Sequence, residues 1–153
     1  VATAAGCQLV ASCDLAIASY ESKFATPGVN LGLFCSTPMV ALSRNVNKKN
    51  AMEMLLTGDF ISAEKAKEIG LINNAVSKEE LASKVTELAE KIASKSTMTV
   101  TTGKKAFYAQ SEMDLSKAYE YTSKIMTDNL LKHDAKEGIN AFIEKRSPDW
   151  KDE

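Results

Sequence analysis

Few side chains in this sequence are of the types, at the spacings, that nucleophilic or metal chemistry requires. Cys7, Cys13 and Cys35 lie among apolar or small residues, show no CxxC spacing, and have only His133 as a possible partner. Reduced, buried thiols are therefore the preferred interpretation of all three. Cys35 and its neighbour Ser36 are candidate nucleophiles or ligands, yet neither has a histidine nearby in sequence to serve as a base.

Two further ionisable residues have simpler structural interpretations. Asp14 ends a predicted helix before a buried strand, and this place favours a capping or ion-pair role over catalysis. His133 stands at a predicted helix end, directly before Asp134, where a solvated histidine is expected. Neither residue is a preferred catalytic group.

The composition excludes several classes of function. The 153 residues carry a formal net charge of −1, and the lysines alternate with glutamates, so a nucleic-acid-binding surface is not expected. No apolar run approaches the roughly 20 residues that a membrane span requires. With 44% hydrophobic residues, the chain can bury one core. Its first residues, VATAAG, are apolar and small, which predicts that an N-terminal half precedes them.

The elements that would position any site show helix and strand signals in alternation, then helix signals alone. This order indicates an α/β class followed by α. Residues 4–12 are predicted as a short buried helix, residues 15–18 as a buried strand, and residues 24–30 as an extended segment or loop. Further helices are predicted at residues 38–44, 49–57, 63–69, about 97–110 and 115–131.

Capping residues mark the beginnings of two more helices. Ser77 and Glu80 have the spacing of a capping box, ahead of apolar residues at helical intervals. Asp134 and Glu137 have the same spacing and predict a last helix capped by Asp134. Both patterns indicate helix N-termini and do not indicate a function.

An ordered set of segments resembles the crotonase superfamily, that is, the enoyl-CoA hydratase/isomerase family. The matching segments are AAGCQL with CDLAIA at residues 4–9 and 13–18, FATP at 24–27, MLLTG with ISA at 54–58 and 61–63, Ala66 with GLI at 70–72, and EGINAFIEKR at 137–146. Residues 2–9 and 30–38 are most similar to a mitochondrial group within that family. The resemblance implies the C-terminal part of the crotonase ββα spiral over residues 1–96, followed by a helical trimerisation and CoA-contact region over residues 97–153.

The resemblance also implies roles for residues of the first half. Enzymes of this family stabilise an enolate-like oxygen with two backbone N–H groups, and the N–H of Ala5 corresponds to one of them. Two glutamates that exchange protons with a water correspond to Gln8 and Gly28, neither of which can carry a proton. If the rest of the pocket is intact, Gln8→Glu together with Gly28→Glu is expected to raise hydration.

Binding residues are implied as well. Cys35 and Ser36 correspond to positions that line the acyl pocket, while Phe142 and Lys145 correspond to contacts with the adenine and phosphate of CoA. For Phe142 a place in the helix core, and for Lys145 simple solvation, remain equal alternatives. No cofactor is expected beyond CoA as part of the substrate, and the full-length protein is expected to form a homotrimer or hexamer. The resemblance implies a mitochondrial location, with the cytoplasm as the alternative.

Three hypotheses of function follow. The preferred one is a protein of acyl-CoA metabolism that binds acyl-CoA thioesters, with weak or absent hydratase activity. The alternative is an active enoyl-CoA hydratase or isomerase that uses an acid–base residue from the preceding half. A purely structural helical fragment is the third.

Overall fold

Short strands alternate with helices in the first part of the chain and only helices follow, which confirms the predicted class. The computed structural model describes residues 1–153. They divide into two units, Val1–Glu87 and Leu88–Glu153, each with its own internal packing. The limits proposed for the α/β core and the helical region, at residues 96 and 97, stay a prediction.

The strands of the first unit form two small sheets. β1 (Ala2–Thr3) is parallel to β3 (Lys23–Ala25), which is antiparallel to β4 (Ile61–Ser62). β2 (Ile17–Ser19) runs parallel to β5 (Asn74–Val76). The strand predicted at residues 15–18 therefore begins two residues later, because the pairing of β2 with β5 sets its limits.

The first unit also contains four helices, and a fifth helix begins after β5. They are α1 (Ala5–Ser12), α2 (Ser36–Asn45), α3 (Lys48–Thr57), α4 (Ala63–Glu68) and α5 (Lys78–Ala93). Residues 24–30 were predicted as an extended segment or loop. Phe24 and Ala25 are extended in β3, whereas Pro27–Leu31 is a 3₁₀ helix with proline in its first turn. Ser62 caps α4 as predicted, by accepting a hydrogen bond from the Lys65 N–H at 3.2 Å.

One apolar core holds the elements of the first unit together. The side chains that it buries come from the strands, from α1 to α4 and from the segments that follow α2 and α4; the largest are Phe24, Leu42, Met54, Leu55, Ile69, Leu71 and Ile72. Cys7 and Cys35 belong to the same cluster. Because α1 packs against α2, Cys7 of α1 and Cys35 at the start of α2 lie in the same part of the core.

The second unit has helices and a C-terminal segment, and no strands. The C-terminal end of α5 is followed by α6 (Thr97–Gln110), α7 (Leu115–Leu130) and α8 (His133–Glu144). The capping box predicted for α5 is confirmed: the Glu80 N–H donates to Ser77 Oγ, and the Ser77 N–H donates to Glu80 Oε2, both at 3.3 Å. No helix of the chain is both long enough and apolar enough to span a membrane.

The capping box predicted for α8 is wrong. The helix begins at His133, so Asp134 lies inside its first turn instead of capping it. The fully buried Asp134 carboxylate accepts hydrogen bonds from the N–H groups of Lys151 at 2.8 Å and Asp152 at 3.0 Å. A local capping bond is lost because the C-terminal segment, folded back along the helix, offers two donors to the same carboxylate.

Glu137, the second residue of that predicted box, also faces the C-terminal segment. Its carboxylate binds the Arg146 guanidinium through two hydrogen bonds and accepts the Asp149 N–H at 2.8 Å. The indole N–H of Trp150 donates to the Ser94 carbonyl at 2.9 Å. These contacts fasten residues 146–153 to the helices of the second unit.

The helices of the second unit bury mostly alanines and leave large apolar side chains exposed. The buried alanines are Ala106, Ala118 and Ala141. The exposed side chains include Phe107, Leu115, Tyr119, Met126, Leu131, Phe142 and Ile143. The chain by itself therefore leaves these apolar faces uncovered.

Candidate functional site

The start of α1 presents backbone N–H groups at the end of a short strand. β1 pairs with β3, and the Ala4 N–H continues this pairing by donating to the Ala25 carbonyl at 3.0 Å. Ala4 then turns the chain into α1 with φ of 48° and ψ of −113°, a backbone conformation that is strained for alanine. This turn places the Ala5 N–H at the helix N-terminus, beside the chain that leaves β3.

The first turn of α1 has neither a side-chain cap nor an acidic residue. The N–H groups at a helix N-terminus have no partner within the helix, and the helix dipole favours a negative charge there. Ala5 is exposed. This turn can therefore donate backbone hydrogen bonds to an oxyanion.

Gln8 lies one turn further along the same helix. Its backbone N–H bonds the Ala4 carbonyl at 2.9 Å, and its residue surface is half-buried between the core-facing Cys7 and the exposed Leu9. An amide at this place can orient a ligand group by hydrogen bonding and cannot take up a proton at neutral pH.

Gly28 lies in a turn that closes back on it. The Gly28 carbonyl accepts the Leu33 N–H at 3.0 Å, and the Gly28 N–H donates to the Cys35 thiol at 3.3 Å. Both polar groups of the glycine are thus used within the Gly28–Cys35 turn, which begins inside the 3₁₀ helix and ends at the residue before α2.

No room is left at Gly28 for a side chain. A Cβ atom there would lie 2.7 Å from the Leu33 carbonyl oxygen and 2.9 Å from the Cys35 sulfur, both inside van der Waals contact. Gly28→Glu therefore requires the backbone of the turn to move. The expected gain in hydration from Gln8→Glu with Gly28→Glu assumed an intact pocket, and this movement removes that assumption. Sequence patterns missed the Leu33 carbonyl, since a backbone atom has no signature in the sequence.

The three cysteines are free but differ in exposure. Cys7 and Cys35 are buried, as predicted, whereas the prediction was wrong for Cys13, which is exposed just after the end of α1. Burial raises the pKa of the Cys7 thiol to about 11, and the neighbouring Cys35 raises it further in the same direction. Cys7 therefore stays a neutral thiol at physiological pH.

Neither Ser36 nor Thr26 has its hydroxyl group hydrogen-bonded to a basic side chain. Ser36 is exposed at the first position of α2, and its hydroxyl donates to the Phe34 carbonyl at 3.3 Å. The hydroxyl of Thr26, directly before the 3₁₀ helix, is fully buried and has no hydrogen-bond partner in the chain, a feature that no sequence signal indicated. Asp14 is exposed after α1.

Phe142 and Lys145 lie on the second unit, at the end of α8. Phe142 is 85% exposed, so a core position for its ring within this chain is excluded. The ring borders a surface groove of about 560 Å³ together with Ile139 and Trp150. Lys145 is exposed and ends the helix with φ of 57°. His133 is half-exposed, with its Nδ1 atom 3.3 Å from Asp134 Oδ1.

Of the predicted site residues, the structure directly joins Gly28 to Cys35 by a hydrogen bond, and it places Ala5, Gln8 and Ser36 in the same unit. Nowhere does the chain gather three or more His, Cys, Asp or Glu side chains that could hold a metal ion.

Comparison with known proteins decides the family. The model of the enoyl-CoA hydratase/isomerase family matches residues 1–153, the whole chain. The chain belongs to the enoyl-CoA hydratase/isomerase family. This confirms the resemblance to the crotonase superfamily that the ordered sequence segments predicted.

Individual relatives of this family member support the mitochondrial subgroup. The chain is 58% identical over 150 residues to the rat protein named enoyl-CoA hydratase domain-containing protein 3, mitochondrial, covering 98% of this chain and 50% of the relative. It is 55% identical over 153 residues to the human protein of the same name, covering 100% and 50%. The chain thus spans about half the length of these curated relatives.

Solved structures agree with the fold of this family member. A crystal structure of an enoyl-CoA hydratase from Mycobacterium smegmatis matches with a TM-score of 0.95 and 50% identity, covering 97% of this chain and 58% of that one. The crystal structure of human enoyl-CoA hydratase domain-containing protein 3 matches with a TM-score of 0.93 and 56% identity, covering 97% and 59%.

Proposed function

We propose that the full-length protein binds acyl-CoA thioesters and adds water to them slowly or not at all. The observation that carries this proposal is the closed turn at Gly28, which has neither a carboxylate nor the room for one. The uncapped first turn of α1 supports the binding half of the proposal, because its N–H groups suit a thioester oxygen that carries negative charge.

In this proposal the residues act without proton transfer. The Ala5 N–H polarises the thioester carbonyl, and the Gln8 amide orients the neighbouring atoms of the acyl group. Cys35 and Ser36 border the acyl chain. An enoyl thioester would be held and polarised, but its water would have no base to deprotonate it.

Phe142 and Lys145 form the proposed CoA contact. The exposed ring offers a face for the adenine, and the exposed ammonium at the helix end offers a charge for a phosphate. CoA enters as part of the substrate, and no other cofactor is proposed.

We further propose a homotrimer or hexamer located in the mitochondrion. The uncovered apolar side chains of α6, α7 and α8 support assembly, since exposed apolar surfaces of this kind are typical of subunit contacts. The mitochondrial location rests on the names of the rat and human relatives.

The first experiment measures binding and turnover in the full-length protein. We expect isothermal titration calorimetry to detect butyryl-CoA and crotonyl-CoA, and we expect crotonyl-CoA to be hydrated no faster than in buffer. Hydration well above buffer, abolished by an acyl-CoA analogue that fills the pocket, would establish the alternative, an active hydratase with a base from outside this chain. No detectable binding of either ligand would refute the proposal altogether.

A matched pair of lysine variants tests the CoA contact. Lys145→Ala is expected to weaken acyl-CoA binding about threefold to fivefold, the usual size of one exposed charge contact. Lys136→Ala removes another exposed lysine from α8 and is expected to leave the affinity unchanged. An acyl-pantetheine thioester without the nucleotide should bind all three proteins equally; a preference for the wild type would contradict a phosphate contact.

A further inference from the structure

Two hydrogen bonds made by Gly28 hold the Gly28–Cys35 turn closed. The Gly28 carbonyl accepts the Leu33 N–H at 3.0 Å, and the Gly28 N–H donates to the Cys35 sulfur at 3.3 Å. Cys35 is only 8% exposed and belongs to the apolar core cluster. The thiol is thus anchored on its core side and bonded to the glycine on the other.

The contacts around Gly28 identify what occupies the space of a side chain. Three atoms lie close to the position of a Cβ at residue 28: the Leu33 carbonyl oxygen at 2.7 Å, the Cys35 sulfur at 2.9 Å and the Cys35 backbone nitrogen at 3.3 Å. The sulfur is the one side-chain atom among them. Gly103, by contrast, has nothing within 4 Å of the same position.

We infer that Cys35 is a specificity-determining residue of this site, because its thiol lies where the Cβ atom of any side chain at position 28, a glutamate included, would have to stand. The inference rests on the proposed function and gives a structural cause for the slow or absent hydration. The site holds an acyl thioester without an activated water because the whole turn is built around the glycine. Replacing the residue at position 28 alone cannot reverse this.

The physical reason lies in the packing of the turn. A side chain at position 28 must displace both the thiol, which is embedded in the core, and the Leu33 carbonyl, which is backbone. Close-packed interiors resist both movements. Any added side chain therefore opens the turn and exposes Cys35 to solvent.

Thiol labelling of the full-length protein tests the closure directly. With iodoacetamide and mass spectrometry of each cysteine, the exposed Cys13 is expected to react fast and Cys35 slowly in the wild type. Gly28→Ala is expected to raise the rate of Cys35 labelling about tenfold or more, as overpacking shifts the turn towards an open form. The matched variant Gly103→Ala should leave the rate unchanged, and an unchanged Cys35 rate in Gly28→Ala would overturn the inference.

A double-mutant cycle tests the part played by the sulfur. Urea midpoints are measured for the wild type, Gly28→Ala, Cys35→Ala and the double variant. Because Cys35→Ala removes the contact at 2.9 Å, Gly28→Ala is expected to lower the midpoint less in that background. Strict additivity would show that the thiol does not block position 28.

Turnover gives the functional test. Gln8→Glu with Gly28→Glu is expected to hydrate crotonyl-CoA no faster than Gln8→Glu alone, and a clear gain with an unchanged urea midpoint would overturn the inference. Calorimetry separates the two proposals: if the wild type binds no acyl-CoA, the proposed function fails, while labelling and the double-mutant cycle still decide whether the turn is closed by Cys35.

Discussion

Gly58 ends α3 and packs against the 3₁₀ helix Pro27–Leu31, which contains the first residues of the closed turn. It has φ of 68° and is buried, and a Cβ atom there would lie 3.0 Å from Asn30 Nδ2 and 3.1 Å from both Pro27 Cα and Val29 Cγ2. Gly58→Ala is therefore destabilised twice, by the left-handed backbone and by overpacking against the 3₁₀ helix. The overpacked residues belong to the candidate site.

Gly70 separates the two costs, because it has a similar φ of 81° but only an ordinary contact, 3.7 Å to the Asn45 carbonyl oxygen. Left-handed backbone costs alanine about 1–2 kcal/mol, and the smaller freedom of the unfolded chain returns about 0.4–1 kcal/mol. Gly70→Ala should thus destabilise by about 1 kcal/mol. Gly58→Ala adds overpacking of about 1–3 kcal/mol, which gives about 2–4 kcal/mol in total.

Equilibrium urea unfolding of the two full-length variants measures this difference, as the shift in midpoint multiplied by the common slope. Acyl-CoA calorimetry on the same proteins should show weaker binding for Gly58→Ala, since Pro27 and Val29 must move, and unchanged binding for Gly70→Ala. Equal destabilisation of the two variants, within about 0.5 kcal/mol, would refute the packing argument.

Two further predictions concern the turn before α1 and the C-terminal segment. Ala4→Gly is expected to raise the urea midpoint by the equivalent of about 1 kcal/mol, because relief of the strained φ of 48° exceeds the added freedom of the unfolded chain; a lower midpoint would mean that the Ala4 methyl group contributes packing. Burial raises the pKa of Asp134, but hydrogen bonds from Ser96 and from the N–H groups of Lys151 and Asp152 outweigh it and hold the pKa at about 2. This carboxylate therefore contributes stability that is complete above its unfolded pKa of about 4 and is lost as the pH falls towards 2. Melting temperatures between pH 5 and pH 2 should fall less steeply in Asp134→Asn than in the wild type, and parallel curves would contradict the assignment.

Local signals predicted most helices because their causes are local. The apolar intervals of α5 and the capping residues Ser62, Ser77 and Glu80 act within one turn of helix, where sequence spacing equals spatial spacing. The same reasoning failed for Asp134, whose spacing to Glu137 is that of a capping box. Its carboxylate instead binds N–H groups 17 and 18 residues away, and no local pattern announces a chain that folds back.

Strand limits were less predictable for a related reason. Residues 15–18 have the apolar run of a buried strand, yet the observed strand, Ile17–Ser19, is set by its register with Asn74–Val76. A partner almost sixty residues away decides which residues join the ladder.

The candidate site residues were proposed from the sequence alone. Residue types at matching positions determined that Gln8 and Gly28 carry no proton, and that the family is that of the enoyl-CoA hydratases and isomerases. Only the tertiary structure decided that Gly28 is sealed, because the atoms that seal it are a carbonyl oxygen and a thiol whose positions depend on how the turn closes. A sequence records which side chains are present, whereas the space left for a side chain that is absent exists only in the folded chain.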